Sequence, residues 1–61
     1  MTRAAILRLA YLASSHRLTQ EEICRALRES RQAQGAGEIT VPTVERSVRM
    51  TVAARASRAA A

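Results

Sequence analysis

The stretch Ile39-Thr40-Val41-Pro42-Thr43-Val44-Glu45-Arg46-Ser47-Val48-Arg49 decides how this chain is read. It has the marks of a helix start. Thr40 is a natural N-cap, because a hydroxyl there can accept a bond from an orphan backbone N–H of the first turn. Ile39 and Val44 flank the cap with hydrophobic-staple spacing. Pro42 suits the first turn, where a missing N–H costs nothing. Val44, Val48 and Val52 recur at i, i+4, i+8 and should form the buried stripe. Glu45 stands four residues before Arg49, the spacing of a helical ion pair. Arg46 and Arg49 lie one turn apart, so both can reach the same side of the helix.

Working back from that stretch, a second start has the same logic. Leu18 precedes Thr19, Glu22 completes a T-x-x-E capping box, and Ile23 is the staple partner. The helix it opens runs from Gln20 as far as Gln34. Ile23 and Leu27 should face a core, with Cys24 and Ala26 beside them. Glu21–Arg25 and Arg25–Glu29 have ion-pair spacing, and Gly35 is the expected stop. Residues 32–38 lack apolar period and read as the most mobile segment. Nearer the N-terminus, a helix is expected from Arg3 to Ser14, with Ile6, Leu9, Ala10 and Ala13 on one face and Leu7 and Tyr11 widening it. Ser14-Ser15-His16-Arg17 reads as a connection. The architecture is therefore all-α, a small three-helix bundle over residues 1–52 with an Ala/Arg-rich helical extension or tail over 53–61. No strand follows the third helix, so the bundle has no wing.

Composition narrows the function. The chain has 61 residues and a formal charge of +5, from ten arginines and five glutamates. Residues 1–18 carry +3, residues 19–38 carry −1, and residues 39–61 carry +3. Basic ends around a balanced middle favour a polyanionic partner, and guanidinium forks suit phosphates. Tyr11 is the single aromatic, so base stacking on single strands has almost no platform. Cys24 is alone, which excludes an internal disulfide and fits a reducing, cytoplasmic setting; it should pack as a small apolar residue. One Cys and one His supply too few zinc ligands, so no metal or cofactor is expected. Asp is absent and the glutamates pair with arginines along their helices. No catalytic set results, and the chain is not expected to be an enzyme. The apolar runs are too short for a membrane span. Targeting segments are disfavoured too, since the remainder would be too small to fold.

The order of signals resembles the helix-turn-helix superfamily, nearest to the N-terminal DNA-binding domain of bacterial arginine repressors; small phage and transposase DNA-binding domains carry similar strings. The likeness rests on Leu18-Thr19-Gln20-Glu21-Glu22-Ile23…Leu27 and on Ile39-Thr40-Val41-Pro42-Thr43-Val44-Glu45-Arg46, and it covers roughly residues 4–50. It implies a three-helix bundle of helix-turn-helix type in which Thr40, Pro42, Thr43, Arg46, Ser47 and Arg49 face the major groove or its flanking phosphates. The segment from Leu27 to Ile39 exceeds a tight turn by about one helical turn.

Together these readings give a small basic protein that binds double-stranded DNA, as a transcriptional repressor or mobile-element accessory factor. Arg17, Arg55 and Arg58 are the expected phosphate contacts. A homo-oligomer or a partner protein would support so short a chain. The competing reading is a protein-interaction module, an adaptor or inhibitor that docks through helix one and the basic tail. A cationic membrane-surface peptide ranks last, because two capping motifs mark helix ends built into a folded domain.

Overall fold

Three helices form where the capping signals place them. The computed structural model describes residues 1–60 and contains α1 (Arg3–Ser15), α2 (Gln20–Gln34) and α3 (Val41–Ala60). The last tail position, Ala61, lies outside the described residues. The α2 start is a complete capping box. The Thr19 hydroxyl accepts from the Glu22 amide at 3.1 Å, and the Glu22 carboxylate accepts from the Thr19 amide at 2.9 Å. α1 has a cap that sequence reading missed: the Thr2 hydroxyl accepts from the Ala5 amide at 3.1 Å. α3 starts after Thr40, whose carbonyl accepts from the Val44 amide. Among the described residues the Thr40 hydroxyl accepts from no first-turn amide, however. The Thr40 hydroxyl lies 3.4 Å from that of Thr43 instead. Pro42 leaves one fewer N–H to satisfy there.

Both connections use left-handed backbone. α2 stops at Gly35, with φ +67°. α1 ends in a Schellman motif: the Leu18 amide donates to the Ala13 carbonyl, and the Arg17 amide to that of Ser14. Arg17 takes the position usually given to glycine, with φ +51°.

α2 and α3 lie side by side and antiparallel along nearly their whole length. Gln34 bonds Thr43 next to the loop, Ser30 bonds Ser47 one turn on, and Glu22 bonds Arg55 two turns further. Each step of four down α2 is thus matched by a step of four up α3. Ala26 and Thr51, both 1% exposed, occupy the layer between. The side chains of this seam are small, which lets two helices approach to about 8 Å. The segment beyond Leu27 that exceeds a tight turn is an extended α2, reaching Gln34, so the two helices stay in contact far from the loop.

α1 closes the other side of α3. The core is Ala5, Ala26, Ile39, Val44 and Val48, with Leu9, Leu12, Leu18, Val41 and Val52 packed against it. Val44 and Val48 are each 1% exposed, and their burial contributes about 1.5–3 kcal/mol apiece. The staple residue Ile39 is buried beside Val44, as its spacing requires. α1 is rotated from the expected phase. Its inward stripe is Ala5, Leu9, Leu12, whereas Ile6, Leu7 and Tyr11 are more than half exposed. Cys24 is also exposed, not packed. Among the described residues, no helix is long and apolar enough to cross a membrane.

Candidate functional site

The helix phase of α3 sorts the expected contact residues. The buried stripe Val44–Val48–Thr51 fixes which side faces solvent, and Pro42, Arg46 and Arg49 fall on that side. Thr40 is exposed just before the helix. Arg46 and Arg49 are separated by one turn on this outward face. Glu45 does not neutralise Arg49. Its carboxylate leans toward α1 and meets Arg8 at 3.8 Å, with both side chains over 40% exposed. A pair so open adds at most about 1 kcal/mol. Among the described residues, neither Arg46 nor Arg49 forms an ion pair.

Three expected contact residues are placed otherwise. Ser47 is 3% exposed and turned into the seam, where its hydroxyl accepts from that of Ser30 at 2.8 Å. The Thr51 hydroxyl donates to the Ser47 carbonyl at 3.0 Å. Ser47 therefore cannot reach a groove from this fold; its physical role is to satisfy a buried hydroxyl. Thr43 is half-buried and its hydroxyl donates to the Gln34 side-chain oxygen Oε1 at 2.7 Å. It ties the ends of the connecting loop together.

Arg55 is the largest departure. Expected as a phosphate contact, it is instead a latch between all three helices. Its Nε donates to Glu22 Oε2 at 2.8 Å, and Nη2 donates to Glu22 Oε1 in a second short bond. Nη1 donates to the His16 carbonyl at 2.9 Å, and Nη2 also reaches the Arg17 carbonyl at 3.2 Å. The fork thus grips the carboxylate of the α2 capping box and the left-handed turn after α1. This bidentate geometry is one that guanidinium supplies and ammonium does not. The Arg55 bond, with the Thr19 amide adding to it, holds the Glu22 carboxyl at about 2, against an ordinary 4.5. Glu22 in turn raises Arg55 above its usual value. Four of the five guanidinium N–H groups of Arg55 are thus committed within the fold, and one on Nη1 remains.

Arg17 and Arg58 remain exposed. They share a groove with Arg25, which sequence reading assigned to helix-surface pairs, and with Arg28, to which it gave no role. The Arg25 pairings with Glu21 and Glu29 are not formed among the described residues. The i, i+3 spacing of Arg25 and Arg28 was the signal available; it puts both on one side of α2. A second surface is apolar. Ile6, Leu7 and Tyr11 project from α1 with 53%, 62% and 63% exposure, and Arg8 lies 5.9 Å from the Tyr11 ring centre.

No protein-family model matches this chain, and neither the curated proteins nor the solved structures include a significant match to it.

Proposed function

We propose that this chain is a small basic DNA-binding protein that lays the outward face of α3 against duplex DNA. The observation that carries the reading is the pair Arg46 and Arg49, exposed on one side of α3 with no carboxylate partner among the described residues. A helix about 10–12 Å across fits a major groove about 12 Å wide. Two arginines one turn apart can each fork to a guanine edge or to a phosphate. Pro42 and Thr40 sit on the same end of the helix and would border the contact. With Ser47 and Thr43 turned inward, base reading rests on two side chains, so sequence discrimination is modest. A reducing cytoplasm suits this role and keeps Cys24 a thiol.

Binding of fluorescent duplex DNA, followed by anisotropy across a salt series, tests the proposal. Wild-type binding should fall log-linearly with salt, and Arg46→Ala/Arg49→Ala should reduce that slope by about two. Absence of binding even at low salt refutes it.

One observation favours a second reading. The surface area is 4409 Å² for a 6.7 kDa chain, against roughly 3,900 Å² for a compact monomer of this mass. Part of the excess is the apolar face Ile6–Leu7–Tyr11, which a partner protein or a second copy would cover. Under that reading Leu7→Gln lowers the assembled mass in solution and Arg46→Ala does not.

A further inference from the structure

A groove of about 700 Å³ runs beside the N-terminal half of α2 and the C-terminal half of α3. Five arginines and two glutamates line it, a net charge of +3. Arg55 and Glu22 satisfy each other through two hydrogen bonds. That leaves Arg17, Arg25, Arg28 and Arg58 with Glu21, the other carboxylate of the lining, which forms no ion pair among the described residues. All four are exposed, and none forms an ion pair among the described residues.

Three local causes bring the four together. Arg17 is held at the groove edge by the left-handed turn whose carbonyl Arg55 grips. Arg25 and Arg28 stand on the side of α2 away from the Ala26–Ser30 seam. Arg58 lies one turn beyond Arg55 on α3, where the helix runs past the α2 start. Like charges gathered this way repel, and a multivalent anion relieves the repulsion. The α2 N-terminus is already closed by its capping box, so guanidiniums and not backbone amides would do the binding. Guanidinium forks match phosphate oxygens in pairs. A single carboxylate would answer only one of the four charges. The groove has no aromatic wall, since Tyr11 is on α1, so it has no surface on which to stack a nucleobase.

This groove is distinct from the outward face of α3. Arg58 follows Arg49 by nine residues, which is about 13 Å along the helix and about half a turn around it. We propose that the groove is a separate anion site for a ligand carrying two or more adjacent phosphates. Such phosphates come either from a nucleic-acid backbone or from a free oligophosphate. The assignment stands independently of how α3 is used.

Calorimetric titration with tripolyphosphate at low salt tests it. Wild type should bind saturably. Arg25→Gln/Arg28→Gln/Arg58→Gln should weaken binding by at least about tenfold, while Arg46→Gln/Arg49→Gln leaves it within about twofold, the difference between local charge-assisted bonds and diffuse charge. Circular dichroism should be unchanged in both, because every replaced side chain is exposed. No saturable binding, or equal weakening in the two variants, overturns the site. A short duplex added to the tripolyphosphate complex of Arg46→Gln/Arg49→Gln separates the sources. Displacement assigns the groove to a nucleic-acid backbone, and failure to displace assigns it to free oligophosphate; either result upholds the site.

Discussion

The Ser30–Ser47 pair can be weighed by a double-mutant cycle. Both residues are under 4% exposed, and among the described residues the 2.8 Å bond between their hydroxyls is the one side-chain hydrogen bond of Ser30. Removing one hydroxyl strands the other away from water, which costs about 1–3 kcal/mol. Alanine returns about 0.5 kcal/mol of helix propensity per site. Ser30→Ala and Ser47→Ala should therefore each destabilise by about 0.5–2.5 kcal/mol. The double variant strands nothing and gains propensity twice, so it should be as stable as wild type or up to about 1 kcal/mol better. The coupling energy, the double effect less the two single ones, is then about 1–6 kcal/mol. Urea unfolding followed by far-ultraviolet circular dichroism measures all four corners of the cycle. The expected stability of a chain this size is only about 3–9 kcal/mol, so the singles shift the midpoint visibly. Two single effects that simply add would refute the buried bond. A loss of duplex binding in Ser47→Ala that exceeds its loss of stability would refute the inward placement of Ser47.

Two further outcomes follow from the latch and the loop. Glu22 titrates at about 2 in the folded chain, below its ordinary 4.5, so its contribution is complete above about pH 4.5 and is lost as pH falls toward 2. The urea midpoint should fall across that window in wild type and fall less in Arg55→Gln, where the carboxyl moves back toward its usual value; parallel curves would exclude the latch. Gly35 at φ +67° has open space around an added Cβ, so Gly35→Ala tests backbone strain alone. It should cost about 1–3 kcal/mol by thermal unfolding, and an unchanged midpoint would show that the turn relaxes freely.

Helix number, the α2 capping box and the Gly35 stop were legible because each is a local signal, written within four residues of where it acts. The phase of α1 was not. Its sequence is apolar nearly all round, so both Ile6–Leu9–Ala10–Ala13 and Ala5–Leu9–Leu12 satisfy a helical period. The close approach of α1 chose the small Ala5 for the inside, whereas reasoning from bulk favours Ile6. Ser47 was misplaced for a related reason. It reads as polar and outward, but a seam of small side chains admits hydroxyls that find each other across it. Arg55 was beyond local reading, because its partner Glu22 is 33 residues away and becomes a neighbour only when α3 folds back along α2. On the proposed α3 face, Arg46 and Arg49 could be placed outward from the valine stripe alone. The groove arginines could not, since their grouping depends on two helices and a turn.

The regular step of four along the α2–α3 seam carries a risk that its polar pairs remove. A seam of alanine, serine and threonine is nearly self-similar under a slide of one turn, about 6 Å, and apolar packing alone would scarcely oppose the slide. Moving α3 by four residues would take Thr43 from Gln34, Ser47 from Ser30 and Arg55 from Glu22 at one stroke. The three pairs thus work like the teeth of a key: each is weak, but only one setting engages them together.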